Sequence, residues 1–267
     1  LHTPPAVPGW FGQKGPSLMP FRFRVVIALT ALLMGGAAQA GETRAPKGVV
    51  ELFTSQGCSS CPPADTTLAQ LVTQGDTVVL SYHVDYWNYL GWTDTLSSKE
   101  NTERQYGYAK TMGRSGVYTP QAIINGREHV KGTDLAMINS KVDGLQQAGK
   151  GLTVPIAATM HGNEIEIEIG EGQGQADVVV AYFTKHQQVD VTKGENTGKR
   201  MDYWHSVYDV QSVGMWNGKR MTLTLPGKVL GTSKKDGCAI LLQASGPDGE
   251  PATIMGATVL MAGRKKN

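Results

Sequence analysis

Two cysteines three positions apart, Cys58-Ser-Ser-Cys61, stand between an apolar run of strand length and a proline-headed stretch of helical periodicity. No other feature constrains the fold as much. Two intervening residues in a tight turn bring the sulfurs within bonding distance, so a strand ends and a helix begins at the pair. Val49-Val50-Glu51-Leu52-Phe53 supplies the strand, bounded by Thr54-Ser55-Gln56-Gly57. Pro62-Pro63 sits at a helix start, where a missing amide does no harm. Ala64, Leu68, Leu71 and Val72 recur at helical spacing until Gly75, a C-cap residue. Cys58 is therefore expected at the helix N-terminus, where unpaired amides and the helix dipole favour a thiolate. Such placement lowers a thiol pKa from about 8.5 into the range of roughly 3.5 to 7.5. Cys58 reads as the exposed nucleophile, and Cys61, a turn further in, as the resolving thiol. Asp65, in the next turn, opposes thiolate formation if it points inward and favours the helix start if it points out.

Downstream, residues 77–84 read as a second buried strand. Ser97-x-x-Glu100 is a capping box opening a polar helix through Met112, with Gly113 as its stop. Residues 121–124 and 127–130 flank Asn125-Gly126, the strongest short hairpin signal. Thr133-Asp134 opens a helix carrying Leu135, Ile138, Val142 and Leu145, closed by Gly149. The order β-α-β-α-β-β-α is the minimal thioredoxin topology. Thr119-Pro120 falls just before the third strand, a position that resembles the one where thioredoxin-like proteins place a cis proline facing the cysteines. X–Pro is the one bond at which a cis peptide is cheap, and a cis bond there exposes the backbone of Thr119 for pairing with a bound polypeptide. The plainer reading is a trans proline entering a strand edge.

After the second strand, Tyr86, Trp87, Tyr89 and Trp92 crowd into seven positions. They form either an apolar wall near Cys58 or a packing surface for the rest of the chain. His83 reads as a proton relay, a metal ligand or a hydrogen-bonded structural histidine, and Asp85 carries the same ambiguity. Together with Trp87 these two make up the candidate substrate-binding or proton-relay set.

Past Gly149 the periodicity changes. Glu164-Ile-Glu-Ile-Glu-Ile169 alternates strictly, as a half-buried strand does. Residues 178–184, 221–225, 238–244 and 253–261 are further strand-length runs, separated by His161-Gly-Asn163, Pro226-Gly227 and Pro247-Asp-Gly249. The expectation is an α/β thioredoxin-like domain over 47–150 followed by an antiparallel β-sandwich-like domain over 151–263, the two packed together. Cys238, inside an apolar run, reads as a buried free thiol. Asp202, His205 and Ser206 are neighbours in sequence, which is not triad geometry.

Composition excludes some functions. The chain has 267 residues, 40% hydrophobic and 18% charged, enough for one large or two small cores. A net charge of +2 leaves no electrostatic footprint of a nucleic-acid binder. The tail Arg264-Lys265-Lys266 reads as a solvated terminus. Met19, Arg22 and Arg24, the apolar residues 25–34 and the small-x-small triplet Ala38-Gln-Ala40 follow the order of a secretory signal over 19–40. The apolar stretch is shorter than the ~20 residues that span a bilayer. The expected location is secreted or periplasmic, with no stable membrane span after cleavage. Residues 1–18, rich in Pro and Gly, are expected to be an extension upstream of a start at Met19. In an oxidising compartment the Cys58–Cys61 pair can hold a disulfide.

The combination of residues 51–65 with His83-Val-Asp-Tyr-Trp87, Leu90-Gly-Trp92 and Tyr118-Thr-Pro-Gln121 resembles a family of exported proteins with a thioredoxin-like domain and no established function. The likeness runs from about Lys47 to the C-terminus and includes Gly194-Glu-Asn-Thr-Gly198; it implies a fold and no substrate. A weaker likeness to thiol–disulfide oxidoreductases covers the first domain only, on Cys58, Cys61, Thr119 and Pro120, and implies catalytic roles for those four. The chain departs from that pattern with Gly57 in place of a tryptophan and Ser-Ser between the cysteines. Intervening residues tune redox poise over about 150 mV, so the direction of exchange stays open. The expected activity is exchange with disulfides of an exported protein or a small thiol, using no cofactor or metal. One alternative is soft-metal binding, Cu(I) or Zn, by the two thiolates with His83 as a third ligand. The other is a structural disulfide beside a β-domain that binds a partner through residues 194–204.

Overall fold

Val49–Thr54 forms β1, and every one of its residues is buried. A strand covered on both faces belongs in the middle of a sheet, and β1 lies between a parallel neighbour, β2 (Val78–His83), and an antiparallel one, β3 (Gln121–Ile124). The parallel pair is joined by α1 (Pro62–Gln74), which ends at Gly75 with φ 70°. The computed structural model describes residues 45–227 and 236–262. The expectations for residues 1–18, the signal at 19–40 and the tail Arg264-Lys265-Lys266 lie outside them.

The hairpin from β3 to β4 (Glu128–Lys131) turns on Asn125 and Gly126, at φ 49° and 62°. Positive φ at both positions is the type I′ geometry that Asn-Gly favours. Between β2 and β3 lies α2 (Lys99–Thr111), and after β4 comes α3 (Leu135–Gln147), capped by Asp134 accepting from the Met137 amide. The cap of α2 falls one residue later than the capping-box pattern placed it. Ser98, not Ser97, accepts from the Asn101 amide, because the Asn101 side chain reaches back to the carbonyl of His83 and fixes where the helix begins.

The C-terminal half contributes β5 (Ile156–His161), β6 (Glu164–Ile169), β7 (Ala176–Asp190), β8 (Arg200–Trp216), β9 (Met221–Pro226), β10 (Gly237–Ser245) and β11 (Pro251–Met261). Four of these join the first half in one sheet, ordered β11-β10-β7-β8-β2-β1-β3-β4. The junction is a parallel bridge from Ser81 of β2 to Ser206 of β8. A second sheet, β5-β6-β9, packs Ile165, Ile167 and Ile169 against Val178, Val180, Trp216 and Ile240. β8 and the outer part of β7 escape a sequence reading. They are rich in Asp, Gln, His and Ser, and bulges at Val178/Val179 and Tyr182/Phe183 interrupt their alternation.

One polar cluster ties the halves together from inside. The Glu51 side chain, fully buried in β1, accepts from Arg104 Nε of α2 at 2.9 Å and from the Tyr108 hydroxyl. Arg104 Nη2 also donates to Gln243 Oε1 of β10 at 2.9 Å, and Gln243 Nε2 donates to Tyr108 and to the Ala252 carbonyl of β11. The guanidinium lies over the rings of Tyr82 and Tyr108, 5.3 and 5.2 Å from their centroids. A buried carboxylate stripped of its partner keeps its desolvation penalty, worth about 3–5 kcal/mol. Arg104→Ala is expected to lower unfolding stability by about that much, measured by urea denaturation. Adding Glu51→Leu to it should recover part of the loss, whereas an additive double variant would show that the pair does not act as a unit.

Candidate functional site

The turn after β1 carries the sulfurs. The Cys58 amide donates to the Ser55 carbonyl at 3.2 Å, and the Cys61 amide to the Cys58 carbonyl at 3.2 Å. Cys58 and Cys61 form a disulfide, with Cα atoms 5.4 Å apart. Cys61 is itself the N-cap of α1, because Pro62-Pro63 holds the first helical positions; it stands at the helix start, not a turn inside it. The expectation of an exposed Cys58 also needs correction. In the disulfide form Cys58 is 2% exposed and Cys61 0%, while Ser59 and Ser60 face solvent.

What covers Cys58 comes from three directions. Thr119 Oγ1 donates to Cys58 Sγ at 3.4 Å, next to the cis peptide bond between Thr119 and Pro120. Trp87 Nε1 donates to the same Thr119 hydroxyl at 2.8 Å and so fixes its position. Within the turn, Ser60 Oγ lies 3.4 Å from Cys58 Sγ. The third direction has no local signal in the sequence. The tip of the β7–β8 hairpin folds back so that buried Asn196 Nδ2 donates to the carbonyls of Gln56 and Cys58, at 2.9 and 3.0 Å. Beside it, Glu195 Oε2 accepts from the Ser59 amide at 3.2 Å. The motif Gly194-Glu-Asn-Thr-Gly198 signals a turn in the sequence, but nothing local tells a turn to reach back about 140 residues.

Beneath the cysteines lies a buried titratable group of residues. Thr54 Oγ1 donates to Asp65 Oδ1 at 2.9 Å, leaving Oδ2 with no hydrogen-bond partner among the described residues. Burial pushes the Asp65 carboxyl up to about 7, against the pull of His83 and the Thr54 hydroxyl. Asp65 thus points inward. His83 is fully buried, its Nδ1 2.8 Å from Asp94 Oδ2, its ring edge-on to Tyr203 at 4.5 Å. Burial pulls the imidazole down, but the Asp94 carboxylate outweighs it and the net shift is upward. Burial likewise pushes Asp94 up, and His83 with the amides of Gln56 and Leu96 holds it below the usual carboxylate range.

The other candidates separate. Asp85 accepts from the Thr102 hydroxyl of α2 at 2.6 Å and so serves the start of that helix. Tyr86 donates to Gln105, Trp92 donates to Gln56 and packs beside Val191, Met201 and Tyr203, and Tyr89 is 77% exposed. The aromatic segment therefore both walls the cysteine turn and packs on the hairpin. Among the described residues, no group of three or more His, Cys, Asp and Glu side chains could hold a metal ion. Cys238 is free and buried, and burial pushes its thiol up to about 12. Asp202 pairs with His186, and His205 Nδ1 with the Val79 carbonyl, while Ser206 lies opposite Ser81. Beside α1 opens a cleft of about 710 Å³, lined by Pro62, Asp65, Lys199, Arg200, Met201 and Trp204. No helix among the described residues is long and apolar enough to cross a membrane.

Comparison with known proteins agrees on one point. An X-ray crystal structure of a protein from Agrobacterium tumefaciens is 59% identical to this chain, with a TM-score of 0.77 over 84% of this chain and 97% of that one. No curated protein matches. Residues 49–243, which hold the cysteine turn, Thr119-Pro120 and the hairpin tip, match the model described as a protein of unknown function, DUF1223. The chain belongs to the DUF1223 family of proteins of unknown function.

Proposed function

We propose that this protein is an exported thiol–disulfide oxidoreductase whose redox centre is Cys58–Cys61, with a thioredoxin-like domain over 47–150 and an antiparallel β-domain over 151–263. The observation that carries the reading is a disulfide closing the turn at the start of α1, with the Thr119 hydroxyl on Cys58 Sγ. The order β1-α1-β2-α2-β3-β4-α3, with a cis proline entering β3, supports the fold assignment. The charged, apolar and small-residue order of residues 19–40 supports export.

The chemistry balances without a cofactor. Once the cover over Cys58, 2% exposed at rest, opens, a thiolate of an exported protein or small thiol attacks Cys58 Sγ along the sulfur–sulfur axis. The Cys58–Cys61 bond breaks, a mixed disulfide forms, and Cys61 leaves as a thiolate that takes up a proton. A second thiolate of the substrate then attacks the substrate sulfur, releasing a substrate disulfide and the reduced Cys58. Two thiols are oxidised as one protein disulfide is reduced, and the reverse sequence oxidises this protein. Because Cys61 is buried, its proton must come from a nearby group. Asp65, in the first turn of α1 with its carboxyl buried on the Thr54 hydroxyl, holds a proton at pH values where an ordinary carboxyl has lost it and is proposed as the source.

Reduced protein mixed with a small aromatic disulfide should exchange at a rate that Cys58→Ser lowers at least ~100-fold, since the thiolate is the nucleophile. Cys61→Ala should leave the attack of the Cys58 thiolate on the added disulfide intact and accumulate the mixed disulfide, visible by mass spectrometry. Wild-type exchange no faster than that of Cys58→Ser defeats the proposal and leaves a structural disulfide. Asp65 makes a separate prediction. A carboxyl with a raised folded-state pKa binds a proton that the unfolded chain has released, so stability falls as pH rises from about 4 to about 7. Asp65→Asn should flatten that fall, on the order of a few kcal/mol. The decline that remains above about pH 6.5 belongs to His83, whose raised pKa gives it the same sign. Urea midpoints across this window check both statements.

A further inference from the structure

Residues 194–198 are the one sequence motif the exchange chemistry leaves without a task. Their geometry is specific. Glu195 is the carboxylate that accepts from the Ser59 amide, inside the Cys58–Cys61 turn, and its side chain is otherwise exposed. Buried Asn196 anchors the tip through the Gln56 and Cys58 carbonyls, and its Oδ1 accepts from Lys199 Nζ at 2.7 Å. One anion and one cation are thus fixed, on either side of a single buried amide, against the loop that presents Cys58.

We propose that Glu195 and Lys199 are positioning residues that set the reactivity of the Cys58 thiol with opposite signs. The proposal rests on the exchange reading only in taking Cys58 as the reacting sulfur. On reduction, a thiolate at Cys58 draws its stabilisation from the amides of the turn and the first helical residues. Glu195 occupies one of those amides and places a negative charge one peptide unit away, which disfavours a second negative charge on the sulfur. Lys199 acts the other way. Its ammonium polarises the Asn196 amide that donates to the Cys58 carbonyl, so it reaches the turn through an intervening side chain where Glu195 bonds the turn directly. Besides the Cys61 thiol freed on reduction, the titratable groups that the described residues pack around the turn are Asp65 of α1, His83 of β2 and Asp94 of the following loop. These last three are buried and keep their partners in either variant.

The arrangement gives the hairpin a role that its distance in sequence conceals. A thiolate made less stable by Glu195 favours the disulfide, so the tip holds the pair toward its oxidised form, as the converse of proteins whose stabilised thiolate makes them strong oxidants. Both charges are exposed, so their influence weakens with salt.

The test reads the thiol itself. Iodoacetamide alkylation of Cys58 in the reduced full chain, followed by mass spectrometry of the Cys58 peptide across pH, gives the thiol midpoint directly. Glu195→Gln should lower that midpoint by about half a unit to one unit, and Lys199→Met should raise it by less. In 1 M NaCl both shifts should shrink. Opposite signs are the decisive readout, because a tip merely loosened by mutation would move both variants the same way. Shifts of the same sign, or no shift in Glu195→Gln, overturn the proposal. The result does not depend on whether any disulfide substrate is turned over, so it can fail or succeed apart from the exchange reading.

Discussion

The buried pairing of Glu51 with Arg104 is the interaction on which the rest of the molecule depends. A carboxylate in the central strand of a sheet is costly to desolvate, and here it is tolerated because Arg104 and Tyr108 of α2 donate to it and are themselves held by Gln243 of β10, which also donates to the Ala252 carbonyl of β11. Those elements span the chain: β1 and α2 from the first half, β10 and the strand beside it from the second. Satisfying one charge therefore dictates where the C-terminal strands must lie. The apolar packing of Phe53, Tyr82 and Tyr108 on Val179, Leu241 and Ile254 fills the same region but does not fix register as a hydrogen-bonded charge does.

From the sequence, the N-terminal elements are legible because each has a local cause. Pro62-Pro63 starts α1, Gly75 stops it, Asn125-Gly126 makes the hairpin and Asp134 caps α3. The alternation in β6 is equally plain. The long hairpin is not, because β8 pairs on both edges and carries polar groups whose partners come from elsewhere. A residue such as Asn196 has no local reason to be buried. Its burial depends on two carbonyls in the cysteine turn, which only the tertiary fold supplies.

The candidate site was partly readable for the same reason. Cys58, Cys61, Thr119 and Pro120 gather because the β-α-β topology brings a helix start and a strand entrance together, and both are marked by proline and cysteine. His83 and Asp85 stand two residues apart and diverge. One enters the core against Asp94, and the other leaves the strand to bond α2. A strand's alternation does not settle that difference where the strand ends. The direction of Asp65 is open in the sequence for a related reason, since helical spacing gives a face but not what covers it.

The hairpin tip that closes over the cysteine turn belongs to a part of the chain made late. Synthesis delivers residues 47–150 first, and the turn holding Cys58 and Cys61 is complete before the residues that later cover it have been added. Until those residues are in place, neither Asn196 nor Glu195 lies against the turn, and the contacts left on Cys58 are those of Ser60 and Thr119. The cover over the sulfurs is thus assembled from two distant parts of the chain, and the last of it to be made is the hairpin tip.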